Sequence, residues 1–213
     1  AHLHEHMLFK GTERRGVGEI ARTVEASGGE INAWTSFDQT VYHVVMGAAQ
    51  SELGLDILSD ALRHSAFDPD ELAREIEVVV EEIQRSQDSP DRRISNATFA
   101  LAYNQHRYRY PVLGTRESVR GMTRDGILGF YRKHYRPEQI TVVAVGDFTT
   151  EAIQAQVEAS FGDWENPTIQ GLKERDVEPE QGDFRFQLLE EDVKETRISL
   201  AWHIPNVSHD DIP

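Results

Sequence analysis

Apolar residues between 16 and 26 fall at Val17, Ile20, Ala21 and Val24, the 3.6-residue period of an amphipathic helix, and Gly28-Gly29 ends the run. Before it, residues 2–10 read as a short helix closed by Gly11. Residues 30–36 and 40–47 are β-rich and flank Phe37-Asp38-Gln39, the pattern of a hairpin. Helical patterns follow at 53–62, at 69–87 behind an Asp68 cap with Pro69 in first position, and at 94–105. Asp88-Ser89-Pro90 separates the last two, and residues 108–114 read as a loop. Thr123 caps a helix through 135, which Arg136-Pro137 stops. Ile140, Val142, Val143 and Val145 then predict a buried strand over 139–145, and Thr149 or Thr150 caps a helix to 161. From 163 to 195 there are eleven acidic residues against four basic ones, with Gly171, Pro179 and Gly182, the composition of an exposed connection. Strand patterns at 184–189 and 196–203 follow it.

Helices outnumber strands, and the early strand pair is a hairpin. That favours an α+β fold, a mostly antiparallel sheet flanked by helices, over a doubly wound sheet. Three segments are expected: a domain over 1–165, an acidic linker over 166–183, and the first strands of a second, incomplete related domain over 184–213. The chain opens on Ala1-His2-Leu3-His4-Glu5-His6, inside a helix that carries candidate chemistry, so it reads as an internal piece of a longer polypeptide with a truncated start. The compartment stays open between cytoplasm, periplasm and an organelle matrix.

Composition narrows the function. A chain of 213 residues can bury roughly 70% of its unfolded surface, enough for a sizeable core. With no cysteine there is neither a disulfide framework nor thiolate chemistry, so any metal site must draw on His, Asp and Glu. The net charge of −15 argues against nucleic acid as a partner and suits cationic partners or plain solubility. No stretch is apolar enough to span a membrane.

His2 and His6 are four apart, so on a helix they share a face and can share an ion. Glu5 borders that face, within reach of a water on the metal without being a ligand. The order His2-x-x-Glu5-His6 is the inverted counterpart of H-E-x-x-H. A catalytic zinc takes three protein ligands and keeps one position open. Along 69–87, Leu72, Ile76, Val79, Val80 and Ile83 mark a buried stripe, while Glu75 and Glu82, seven apart, project along one face. Spacing alone still favours a solvated polar face for the histidines and an ordinary acidic amphipathic helix for the glutamates.

The segment His2-Leu3-His4-Glu5-His6-Met7-Leu8-Phe9-Lys10-Gly11-Thr12 resembles the H-x-x-E-H-M-x-F-x-G-T signature of the pitrilysin, insulinase and mitochondrial-processing-peptidase family. Gly28-Gly29-Glu30-Ile31-Asn32-Ala33-Trp34-Thr35 is similar to its G-G-x-x-N-A-x-T segment, and residues 75–83 to its E-x6-E helix. Glu82 lies 76 positions after His6, which suits the processing-peptidase-like branch. Later landmarks are Leu113-Gly114-Thr115, Tyr131 to Pro137 and Val143 to Gly146. One departure is His4, where the family usually has an apolar residue; it points about 200° from His2 on a helix and reads as a packing or surface residue.

The resemblance implies a zinc endopeptidase hydrolysing unfolded peptides or presequence-like segments. Its metal ligands would be His2, His6 and Glu82, and its catalytic base Glu5, which activates the zinc-bound water. Zinc lowers the pKa of such a water toward roughly 7, and the base takes the proton as water attacks the carbonyl. Glu75 would be a carboxylate supporting the site, and Asn32, Ala33, Trp34 and Thr35 a strand edge for an extended peptide; the net charge of −15, apart from the resemblance, favours a basic one. For Trp34 core packing is an equal expectation. Glu81, about 100° round the helix from Glu82, is read as solvated or salt-bridged. His43, His64, His106, His134, His203 and His209 are read as structural or surface residues.

Family members close two related halves around the site. The resemblance therefore implies a second half of the same chain or a partner subunit, in a homo- or hetero-dimer, supplying an Arg and a Tyr to the substrate. The alternative is a non-catalytic scaffold or substrate-presenting subunit of the same fold, although such members normally lose a ligand or the base. A structural zinc site fits poorly, because those sites are usually four-ligand and cysteine-rich.

Overall fold

The computed structural model describes residues 1–165, 177–206 and 209–210. Its elements, in chain order, are α1 (His2–Leu8), α2 (Glu19–Ala26), β1 (Glu30–Thr35), β2 (Thr40–Val45), α3 (Ser51–His64), α4 (Pro69–Asp88), α5 (Pro90–Ala102), α6 (Arg116–Arg120), α7 (Arg124–His134) and α8 (Thr150–Phe161). The chain divides into two compact units, 1–80 with 116–171 and 81–115 with 172–213.

The helix starts follow side-chain chemistry. Asp68 Oδ1 accepts the amides of Asp70 and Glu71 at 2.9 and 3.0 Å, with Pro69 opening α4. Thr123 and Thr149 cap α7 and α8 through the amides of Gly126 and Ala152. In the first unit, Leu8, Ile20, Val24, Ile57, Ala61 and Leu62 form the core, joining α1, α2 and α3. Tyr42 and Val44 from β2, and Phe161 and Trp164 at the end of α8, pack around it.

β1 and β2 pair antiparallel, with Glu30 opposite Val45 and Thr35 opposite Thr40. The Gly28-Gly29 step that leads in has two separate causes. Gly28 takes φ +72°, and a Cβ on Gly29 would stand 2.9 Å from the Val45 carbonyl oxygen. The exit of α1 is anchored as firmly. Thr12 Oγ1 donates to the buried Asp60 at 2.7 Å, and Arg15 bridges Asp60 and Asp56 on α3.

The second unit holds the end of α4, α5, and a 3-10 turn over Arg107–Arg109. Ser89 and Pro90 open α5. Glu178 accepts the amides of Asn104, Gln105 and His106 at 2.7–2.8 Å. Arg185 donates to the carbonyls of Leu101 and Ala102, and Arg197 pairs with Asp91.

Three expected strands do not form. Residues 140–145 follow a 3-10 turn at Pro137–Gln139 without regular structure, and Val143 and Val145 are exposed rather than buried. Residues 184–189 and 196–203 are likewise irregular, with Phe184, Phe186, Leu200 and Trp202 exposed. Alternating or β-branched residues make a strand only against a partner ladder, and among the described residues none pairs with these segments. The helix α6 was not foreseen, being too short to show a period. Most of the expected linker, 166–176, and positions 207–208 and 211–213 lie outside the described residues.

Candidate metal centre

The short helix α1 is two-faced. Leu3, His4, Met7 and Leu8 are buried, which leaves His2, Glu5 and His6 on the other side, partly accessible. The rings of His2 and His6 stand 4.7 Å apart, inclined by 64°. A ligand atom from each, with a carboxylate oxygen of Glu82, makes a group whose members all lie within 4.8 Å of one another. It is the one group of three or more His, Asp and Glu side chains so placed among the described residues.

Two imidazole nitrogens and one carboxylate oxygen suit zinc, and three such ligands leave room for a fourth. Tetrahedral ligands roughly 2.0–2.1 Å from an ion stand roughly 3.4 Å from one another, so small side-chain rotations would close the group around one. The donor set thus fits the metal that the motif implies.

Glu75 lies two turns before Glu82 on α4. Its Oε2 is 2.9 Å from His6 Nδ1, its Oε1 is 2.5 Å from Lys10 Nζ, and its side chain is only 7% exposed. Burial pushes its carboxyl up, and Lys10 and His6 outweigh burial, so it ends below the usual carboxylate range. An ionised Glu75 can only accept, so His6 Nδ1 carries the proton of this contact.

Glu5 is held from the hairpin. Thr35 Oγ1 donates to Glu5 Oε2, and Thr40 Oγ1 lies 3.2 Å from Thr35 Oγ1. Along β1, Ala33 and Thr35 are the partly buried residues and Asn32 and Trp34 the exposed ones. Trp34, 43% exposed, is therefore not a core residue. Asn32 Oδ1 accepts the amide of Ala33 at 2.8 Å. Behind them the hydroxyls of Tyr42 and Tyr135 meet at 2.6 Å. Burial pushes both phenols up, Tyr135 to about 12; at Tyr42 the neighbouring Tyr135 and then Glu5 add to the rise, while at Tyr135 the hydrogen bond with Tyr42 opposes it and Glu5 adds to it.

His4 faces the other way. Its Nε2 donates to the Ile127 carbonyl at 2.8 Å, and its ring centre lies 4.4 Å from that of Phe130. Burial lowers its pKa to about 4, so it stays neutral. Glu81 pairs with Arg85 at 3.5 Å on the exposed face of α4. The other histidines fall outside the metal group: His43 opposes Asn32, His64 ends α3, His106 caps the 3-10 turn, His134 ends α7, and His203 reaches the Ala102 carbonyl. Sequence reasoning missed two contacts, Thr35 on Glu5 and Lys10 on Glu75. Strand alternation could have found the first, and the four-residue step from His6 to Lys10 the second.

The family model described as Insulinase (Peptidase family M16) matches residues 1–116, and that described as Peptidase M16 inactive domain matches 121–213. An uncharacterised zinc protease of Bacillus subtilis is 34% identical over 78% of this chain and 40% of its own length. One of Mycobacterium bovis is 31% identical over 96% of the chain and 47% of its own length. Among solved structures, a protease from Helicobacter pylori matches with a TM-score of 0.80 and 28% identity, over 84% of this chain and 44% of that one. The periplasmic protease PqqL from Escherichia coli matches with a TM-score of 0.74 and 25% identity, over 83% and 20%. The chain spans less than half the length of each of these relatives. No helix among the described residues is long and apolar enough to cross a membrane.

Proposed function

The chain belongs to the insulinase family of peptidases, M16, and on that footing we propose that it carries the metal-binding and catalytic half of a zinc endopeptidase. The observation that carries the reading is the convergence of His2, His6 and Glu82 within 4.8 Å, on the side of α1 that also bears Glu5. The names of the relatives, zinc proteases, support the same metal.

In this reading His2, His6 and Glu82 hold the ion. Zinc, when bound there, supplies Lewis acidity toward a peptide carbonyl and makes water a better acid. Glu5 takes the proton of the attacking water and passes it to the leaving amine. Thr35 keeps the Glu5 carboxylate aimed, through the hydrogen bond to Oε2. Glu75 fixes the tautomer of His6.

The substrate is an extended, unfolded peptide or presequence-like segment lying along Asn32 to Thr35, with β1 offering main-chain hydrogen bonds and the exposed Asn32 and Trp34 offering side-chain contacts. A net charge of −15 favours basic peptides. Residues 1–165 form the catalytic domain, and a second half, in the same chain or a partner subunit, closes the site. A purely scaffolding role is the poorer reading, since both histidines, Glu82 and Glu5 are in place.

The test is cleavage of a mixed library of unstructured peptides by the protein, with and without a chelator. Cleavage abolished by chelation and restored by zinc is expected. Cleavage indifferent to chelation, or none from zinc-loaded protein with its closing half present, would refute the reading.

A further inference from the structure

We propose that Lys10 is a positioning residue for the metal centre, holding one oxygen of Glu75 so that the other stays on His6. The inference rests on the reading of His2, His6 and Glu82 as zinc ligands.

Lys10 lies four residues after His6, just past the end of α1, where its amide bonds to the Met7 carbonyl at 3.1 Å. From there its ammonium reaches Glu75 Oε1 at 2.5 Å, while Glu75 Oε2 meets His6 Nδ1 at 2.9 Å. The carboxylate thus spans two cations or donors, one on each oxygen. It cannot rotate without surrendering one of them, and at 7% exposure it has little water to turn to. Without Lys10, the buried carboxylate would keep a single anchor and could swing away from the ring. His6 would then lose the contact that sets its plane and its tautomer. The chain Lys10, Glu75, His6 thereby joins the exit of α1 to the middle of α4. Lys10 itself is about one-third exposed, so replacing it disturbs no core packing.

Partners of ligating histidines, when removed, typically cost roughly 10–100-fold in metal affinity. Lys10 acts one contact further out, so Lys10→Met should weaken zinc binding by about tenfold, the lower end of that range. Glu75→Gln should cost at least as much. If Lys10 acts through Glu75, the double variant should bind zinc no more weakly than Glu75→Gln alone. Lys10→Arg, which keeps the cation, should recover most of the affinity.

The measurement is zinc affinity by competition with a chromophoric chelator, for the wild type, the three single variants and the double variant. It is joined by the visible spectrum of the cobalt(II)-loaded proteins and the melting midpoint of the metal-free ones. A shifted cobalt spectrum and weaker zinc binding in Lys10→Met, with an unchanged metal-free midpoint, are expected. Lys10→Gln serves if Lys10→Met does not fold. Wild-type affinity in Lys10→Met, an equal further loss in the Glu75→Gln background, or no recovery in Lys10→Arg would each overturn the inference. A wild type that takes up no zinc would overturn the metal reading and the inference with it, whereas absent peptide cleavage with zinc bound would touch only the proposed function.

Discussion

The entry to β1 offers a three-way test of how the hairpin is held. A Cβ on Gly29 would meet the Val45 carbonyl oxygen at 2.9 Å, Met46 Cβ at 3.0 Å and Val24 Cγ1 at 3.1 Å. Two of these neighbours are fixed to the backbone and cannot swing aside. Overpacking of this kind costs about 1–3 kcal/mol, and three simultaneous contacts put Gly29→Ala at about 2–3 kcal/mol. For a chain of this length each kcal/mol moves the melting midpoint by roughly 2–4 °C, so a fall of about 4–12 °C is expected. Gly28→Ala meets no neighbour but must hold φ +72°, a penalty of about 1 kcal/mol. Gly47→Ala meets nothing and sits at φ −59°, ψ 142°, where alanine is comfortable and gains about 0.4–1 kcal/mol from a stiffer unfolded chain. The expected order of melting midpoints by calorimetry is Gly47→Ala, wild type, Gly28→Ala, Gly29→Ala. The site depends on the same step, because the register that sets Glu30 opposite Val45 also brings Thr35 to Glu5. A slip of one residue would turn Thr35 to the outer face. A Gly29→Ala protein as stable as Gly47→Ala would refute the close approach.

Two further expectations concern buried polar groups. Burial holds His4 at about 4 when folded, against about 6.5 unfolded, so stability is full above pH 6.5 and falls as pH drops toward 4. The gap is worth about 3 kcal/mol, and urea unfolding of metal-free protein at pH 7 and pH 4.5 should show that loss in the wild type but not in His4→Leu; parallel losses would contradict it. Asp60, with its side chain sealed from solvent, accepts from Arg15 and Thr12, so Asp60→Ala leaves Arg15 to Asp56 alone and the Thr12 hydroxyl without its acceptor, at a cost of about 1–3 kcal/mol. A melting midpoint within error of wild type would show that this lock contributes nothing.

What could be read from the sequence was what local chemistry decides. Asp68-Pro69, Thr123 and Thr149 announce their helices because each side chain accepts amides of the turn that it opens. The faces of α1 and α4 follow from where Leu3, Met7, Leu72 and Val79 must be buried, and those faces bring His2, His6 and Glu82 together. The failures are non-local. Val142, Val143 and Val145 have strand character, yet a strand exists only where another supplies its hydrogen bonds, and none does among the described residues. The same holds for Phe184 and Phe186, and for Leu200 and Trp202. Trp34 carried no local sign of whether it faced core or solvent, and its exposure was decided by the pairing of β1 with β2. Lys10 and Thr35 are ordinary in their own segments and gain roles only from α4 and α1, which reach them in space.

The central claim is that Glu5 acts as the base beside a zinc ion held by His2, His6 and Glu82. The most direct measurement compares Glu5→Gln with Glu82→Gln for zinc content and for turnover of a peptide that the wild type cleaves. The expected result is full zinc in Glu5→Gln with turnover reduced roughly 10²–10⁴-fold or more, and depleted zinc in Glu82→Gln with turnover lost alongside. Turnover that persists in Glu5→Gln, or zinc that stays at wild-type affinity in Glu82→Gln, would contradict the account.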